Sequence, residues 1–240
     1  MRLSDFSALT FDCYGTLIDW ETGIGEALAP WLERAGVRLE RDRVLEAFAQ
    51  LESAQQAATP AMRYPELLAE VHRGLALRFG IPPDDAAAAA FGASVGNWPA
   101  FPDSAEALVY LKRHFQLVIL SNVDRASFAS SNRKLGVTFD AIYTAEDIGS
   151  YKPDPRNFDY LLRHLAERGI AKGQILHTAE SLYHDHISAK QIGLATCWIH
   201  RRAGKEGHGA TTVPRSEVKP DFRFENLAAM AEAHRAERGA

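Results

Sequence analysis

Short apolar runs separated by helical patterns set the rhythm of this chain. Ala8-Leu9-Thr10-Phe11-Asp12 is the first run. It is followed by Leu117-Val118-Ile119-Leu120-Ser121-Asn122, Ala141-Ile142-Tyr143-Thr144, Ile175-Leu176-His177-Thr178-Ala179 and Thr196-Cys197-Trp198-Ile199. Most are continuously apolar rather than alternating, as expected of strands covered on both faces. Strand and helix in alternation predict a doubly wound parallel sheet with right-handed crossovers, an α/β fold. Asp221-Phe222-Arg223-Phe224 reads as a late edge strand.

One stretch breaks the rhythm. From Glu21 to about Asn97 the pattern is helical throughout, over 21–35, 41–57, 64–80 and 83–91. A run of four helices between the first two strands is too long for a crossover, so it predicts an inserted helical cap. Trp98-Pro99-Ala100-Phe101-Pro102-Asp103 is the expected return hinge, because its prolines exclude a continuing helix. The expected organisation is a core of 1–19 and 98–240 and a cap of 20–97.

The bulk numbers narrow the classes. With 240 residues the chain buries a full core, and 46% hydrophobic with 24% charged residues is ordinary for a soluble globular protein. No apolar run approaches a membrane span, and the acid in Met1-Arg2-Leu3-Ser4-Asp5-Phe6 does not suit a signal peptide. A net charge of −4 gives no reason to expect a nucleic acid partner. Cys13 and Cys197 have no metal-like or redox spacing, which suits a cytoplasmic location.

The chemistry is concentrated at strand ends. Asp12-Cys13-Tyr14-Gly15-Thr16-Leu17 closes the first strand, and the carboxyl end of a parallel strand is where open α/β sheets bind ligands. The second strand ends in Ser121-Asn122. Lys152-Pro153-Asp154 follows the third, and Glu180-Ser181 with Asp185 follows the fourth. In a parallel sheet these ends converge on one rim. Cys13 points away from Asp12 by strand alternation. His177, His184 and His186 match no known metal-ligand spacing. Arg201, Arg202 and Lys205 read as a solvated loop, and Trp20, Trp98 and Phe101 as hinge aromatics.

These four strand-end groups resemble, in order, the four motifs of the haloacid dehalogenase superfamily, and the resemblance spans the whole chain. Tyr14 is the discriminating residue. The superfamily's phosphatases resemble Asp-x-Asp, where the second acid protonates the leaving alkoxide. A phenol with a pKa of about 10 is a poor donor at neutral pH. Asp-x-Tyr-Gly-Thr-Leu resembles the L-2-haloacid dehalogenase branch, whose leaving halide needs no proton. The resemblance implies Asp12 as nucleophile, through an aspartyl ester at C2 of a short carboxylic acid. It implies that Lys152 holds Asp12 ionised, and that Thr16, Ser121 and backbone N–H groups orient Asp12 or bind the substrate carboxylate. Asn122 would donate toward the halide, Asp185 would position Lys152 or activate water, and Ser181 belongs to the same fourth motif. Trp20 and Tyr14 would line the pocket. A homodimer through cap helices is implied in the same way.

The chain also departs from that branch. The arginine expected on the second cap helix falls on Ala47, and the fourth motif reads Ala179-Glu180-Ser181-Leu182-Tyr183-His184-Asp185, with an added acid at Glu180. These strings, with 11–23 and 97–103, resemble the L-azetidine-2-carboxylate hydrolases of the same branch, which open a strained cyclic amine. Glu180 is then expected to face a cationic substrate. No metal or cofactor is expected on the dehalogenase reading. On the phosphatase alternative, Asp12, Glu180 and Asp185 would hold Mg²⁺.

Overall fold

The computed structural model describes residues 1–214 and 217–239. Six parallel strands form one sheet: β1 Ala8–Phe11, β2 Gln116–Ser121, β3 Ala141–Thr144, β4 Ile175–Ala179, β5 Ala195–Ile199 and β6 Phe222–Phe224. Their spatial order is β3-β2-β1-β4-β5-β6. The order reverses at β1, between β2 and β4, so the end of β1 is the switch point where ligands bind in such sheets. Ala8 lies opposite both Gln116 and Ile175, and this register brings Phe11 level with Ile119 and Thr178. Asp12 continues past the strand with its N–H still donating to the Thr178 carbonyl. The expected strands are present within a residue or two, including the late edge strand.

After β1 come four helices of the insertion, α1 Trp20–Arg34, α2 Arg41–Ala58, α3 Tyr64–Phe79 and α4 Asp85–Gly92, with a short 3₁₀ turn at Ala93–Asn97. The remaining helices flank the sheet: α5 Ser104–Leu111, α6 Arg125–Asn132, α7 Ala145–Ile148, α8 Arg156–Glu167, α9 Ile187–Gln191 and α10 Leu227–Gly239. A single π turn, Leu182–His186, leads into α9.

Strand alternation divides the core. Val118 and Leu120 pack with Phe158, Leu161 and Leu165 of α8 on one face. Leu9, Phe11, Leu117 and Ile119 point to the other face, in a cluster that runs without a break into Phe48 and Leu67 of the cap helices. At roughly 25 cal/mol per Å² of apolar surface, this continuity holds the helical insertion against the rim of the sheet. Trp20 and Phe48 meet edge to face with centroids 6.0 Å apart, and Tyr14 meets Trp98 the same way at 5.7 Å.

Candidate active site

The turn after β1 aims Asp12. The N–H groups of Leu17 and Ile18 both donate to the Cys13 carbonyl, and that of Gly15 donates to the Ile18 carbonyl. Gly15 sits at φ 89°, a left-handed conformation that glycine adopts without steric cost. A Cβ there would also meet the Trp20 indole nitrogen at 3.0 Å. The tight turn folds Thr16 back so that its hydroxyl donates to Asp12 Oδ2 at 2.7 Å, while accepting from the Glu180 backbone N–H at 2.9 Å. Arg201 holds the turn from outside, donating twice to the Thr16 carbonyl and pairing with Asp103 at 2.7 Å.

The loop after α7 brings Lys152 to the same point. Its ammonium, 1% exposed, donates to Asp12 Oδ1 at 2.9 Å, to Asp185 Oδ1 at 2.6 Å and to the Leu120 carbonyl at 3.0 Å. All three N–H bonds are thereby used. Asp185 Oδ1 also accepts from His177 Nε2 at 2.9 Å, and His177 Nδ1 then accepts from the Thr10 hydroxyl at 2.8 Å. An unbroken chain of bonds thus runs from Thr10 through His177, Asp185 and Lys152 to Asp12 and Thr16.

Buried charge of this kind is stable only while every member keeps its partner. Burial works against the ammonium of Lys152, but Asp12 and Asp185 outweigh it and hold its pKa above the ordinary value. Burial likewise opposes ionisation of Asp185, yet Lys152 and His177 hold its carboxyl well below the usual carboxylate range. Through its 2.6 Å bond to the ammonium that also pairs with Asp12, Asp185 fixes the position of Lys152. Burial and the charge of Asp185 lift Asp12 above its ordinary value, against the pull of Lys152 and Thr16.

Tyr14 carries no proton chemistry. Burial pushes its phenol well above the ordinary value, and its hydroxyl is bonded to Ser131 Oγ at 2.9 Å. Its ring forms part of the wall beside Asp12. The cavity there is small, about 30 Å³. Hollows of about 340 and 370 Å³ lie among the cap helices instead, and no strand-end group lines them. The small cavity is the site because the chemistry converges there.

Several expected site residues take other roles. Asn122 borders the cavity, but its amide accepts from the Lys152 N–H at 2.7 Å and donates to the Lys152 carbonyl at 3.0 Å. It therefore fixes the main chain of Lys152 rather than standing free for a leaving group. Ser121 Oγ is buried without a partner and makes no bond to Asp12. Ser181 caps the π turn, accepting from the His184 N–H at 3.0 Å, with its Oγ 3.2 Å from His184 Nδ1. Trp20 lines the cavity as expected, whereas Trp98 lines one of the hollows in the cap. Arg201 and Arg202 are not solvated. Arg202 pairs with Glu21 of α1 at 2.7 Å, tying this loop to the cap.

Glu180 is the clearest correction. Its backbone serves the site, but its carboxylate turns away from Asp12 and accepts from the Thr211 hydroxyl at 2.8 Å. It borders a separate niche with Arg201 and Arg202. The acids expected as a Mg²⁺ set do not converge: Asp12 and Asp185 share Lys152 between them and Glu180 points elsewhere. Burial raises the Glu180 pKa from 4.5 to about 8. An acid with a raised folded-state value favours the folded protein less as pH climbs from 4.5 to 8. Glu180→Gln keeps the acceptor for Thr211 and is expected to match wild type in urea denaturation at pH 5. At pH 8.5 the variant should be the more stable by roughly 2–4 kcal/mol.

Four residues of this wall were not singled out in the sequence: Glu52 and Gln56 from α2, Tyr64 from α3, and Val123 just after β2. His184 also reaches it. The signal for the first two was present. Phe48, Glu52 and Gln56 follow one another at i, i+4, i+8, so two polar residues extend the buried stripe of an amphipathic helix. Ala47 is buried but does not line the cavity, and the cap contributes no cation to its lining.

A parallel α/β fold with a carboxylate and a buried ammonium at its switch point, closed over by helices, is the architecture of a class of α/β hydrolases. Residues 6–193 match the family model for haloacid dehalogenase-like hydrolases, and the chain belongs to that family. It is 27% identical to an (S)-2-haloacid dehalogenase of Pseudomonas putida over 95% of this chain and 96% of that one. The fold is that of the L-2-haloacid dehalogenase of Xanthobacter autotrophicus, with TM-score 0.77, 19% identity and coverage of 96% and 98% of the two chains. A HAD hydrolase of Bacillus subtilis bound to magnesium is equally similar in fold, with TM-score 0.76, 19% identity and coverage of 98% and 100%. Among the described residues no helix is long and apolar enough to cross a membrane.

Proposed function

We propose that this hydrolase attacks C2 of a short 2-substituted carboxylic acid, and that the substrate is an (S)-2-haloacid converted to the 2-hydroxy acid. An Asp12 oxygen forms a bond to C2 from the side opposite the halogen, and the C–X electron pair departs with the halide. Water then attacks the aspartyl carbonyl carbon, releasing the 2-hydroxy acid with inverted C2 and leaving its own oxygen in Asp12. The observation that carries this reading is the pairing of Asp12 with Lys152 and Thr16 in a site where Tyr14 replaces a proton-donating acid. Such a site suits a leaving group that needs no protonation.

The second step needs a base for the water. Burial holds the His184 pKa at about 4, so the ring is neutral at pH 7. In the tautomer that donates from Nδ1 to Ser181, its Nε2, which has no other partner, accepts that proton. This gives Ser181 an orienting role. The small cavity restricts the substrate to a few heavy atoms.

A second reading, ring opening of L-azetidine-2-carboxylate by the same attack, is favoured by one observation. The cap presents a carboxylate, Glu52, and no cation to the cavity. On either reading the enzyme uses no metal, takes a small carboxylic acid as its only partner besides a second copy of itself, and works in the cytoplasm. The test is a substrate panel, run with Mg²⁺ and again in EDTA, with both enantiomers of 2-chloropropionate, L-azetidine-2-carboxylate and a phosphate ester. Chloride release from the (S) and not the (R) enantiomer, with or without opening of the azetidine ring, is the expected result. Phosphate release that EDTA abolishes, without turnover of either acid, overturns the proposal.

A further inference from the structure

The group least explained by attack at C2 is the acid on the cap. Glu52 is 2% exposed and lies in the same cavity wall as Asp12. Its Oε1 accepts from the Tyr64 hydroxyl at 2.8 Å, and no second protein donor satisfies it among the described residues. Three further polar atoms of the wall stand unpaired: Gln56 Nε2, one helical turn along α2, and His184 Nε2 and Asp185 Oδ2 from the core side. A buried carboxylate is costly unless something pairs with it. The only ammonium of the cavity, Lys152, has all its N–H bonds committed to Asp12, Asp185 and the Leu120 carbonyl. The wall therefore holds three carboxylates against one cation, and Glu52 is the one that Lys152 does not bond.

We propose that Glu52, held by Tyr64, is the residue that sets the charge of the group borne on C2, receiving a protonated amine there and disfavouring a neutral halogen. This rests on the C2-attack reading and concerns which substituent leaves. The step balances without a proton donor. Asp12 forms its bond to C2, the C–N bond breaks, and its electron pair goes to nitrogen. An ammonium substituent thus leaves as a neutral amine, which takes a proton from solvent. Release of strain in a small ring supplies the drive that an open-chain amine lacks.

The ionisation of Glu52 adds a signature. Burial lifts its pKa from 4.5 to about 7, against the Tyr64 bond and with help from the charge of Asp12. The groups facing it are Asp12, Lys152 and Asp185 at the rim, His184 from the π turn, and the phenols of Tyr14, Tyr64 and Tyr151. His184 titrates near 4, Lys152 is held above its ordinary value, Asp185 lies below the carboxylate range, and the three phenols are pushed above 10. Below pH 7 Glu52 is protonated and the cation loses its partner. Above pH 7 it is ionised.

The experiment compares wild type with Glu52→Gln, which keeps size and the acceptor for Tyr64, on L-azetidine-2-carboxylate and (S)-2-chloropropionate between pH 6 and 8.5. The expected result is a fall of at least 30-fold in the ratio of the two kcat/KM values, mainly through KM for the cationic substrate. In wild type that ratio should rise with pH through about 7, and the rise should vanish in the variant. Tyr64→Phe, which removes the bond that favours the ionised form, should move the rise to higher pH. An unchanged ratio and pH profile in Glu52→Gln overturns the role of Glu52 and leaves attack at C2 standing. Turnover of the haloacid alone by wild type has the same meaning. Turnover of neither acid overturns both proposals.

Discussion

Asp12→Asn is expected to lower turnover of any substrate by about 10⁴-fold or more while the protein remains folded. The carboxamide keeps the size of Asp12 and an oxygen acceptor for Lys152 or Thr16, so the loss reports nucleophilicity rather than collapse of the site. A companion measurement in ¹⁸O-water locates the bond that water breaks. In a single turnover the heavy oxygen should enter Asp12, and the hydroxyl of the product should be unlabelled, because the product takes its oxygen from the carboxylate. Heavy oxygen in the product of that first turnover would mean direct attack by water on the substrate. Retention of more than a few per cent of wild-type activity in Asp12→Asn would remove Asp12 from the nucleophile's role.

The second large effect concerns stability. Lys152→Met removes the one ammonium between Asp12 and Asp185, both buried, and leaves two carboxylates facing each other without compensation. Breaking a buried pair in this way costs about 3–5 kcal/mol. The deficit should depend on pH in a definite sense. Burial and Asp185 already lift the Asp12 pKa in the intact site, and loss of Lys152 lifts it further. An acid whose folded-state value is raised destabilises the folded protein increasingly as pH climbs past the unfolded value. Urea denaturation of the variant should therefore show the larger deficit at pH 8 and a smaller one at pH 5. A deficit independent of pH would mean that packing, not charge, is what Lys152 supplies. Activity should be lost at both values.

These two experiments bear on residues that could be read from the chain, and the reason is local. Asp12, Lys152 and Asp185 stand at the ends of apolar runs, and a parallel sheet brings such ends to one rim whatever the packing elsewhere. The helical patterns of the cap were legible to within two or three residues at their ends for the same reason, since amphipathic spacing is a property of the chain itself. Side-chain direction beyond the strand end was not legible. Glu180 stands one residue past β4, where a half-turn of backbone decides whether its carboxylate meets Asp12 or Thr211. Asn122 carries the chemistry expected of a donor to the leaving group, yet it spends its amide on the main chain of Lys152, 30 residues away.

The sequence by itself determined the parallel α/β core, the helical insertion after its first strand, and the meeting of an aspartate and a lysine at the switch point. It also determined that Tyr14, not an acid, stands two residues from Asp12. Those features follow from periodicity and chain order. Tertiary structure decided what faces Asp12 from the other side. Glu52, Gln56 and Tyr64 reach the cavity because the apolar stripe of α2 is continuous with the core of the sheet, which docks the cap in one orientation. Arg201 reaches the Thr16 carbonyl from 185 residues away for a comparable reason. No local pattern encodes such a meeting, because it depends on the summed packing of elements distant in sequence. Asp12 was legible because it stands at the end of a strand, while the wall opposite became visible only once the helices were packed.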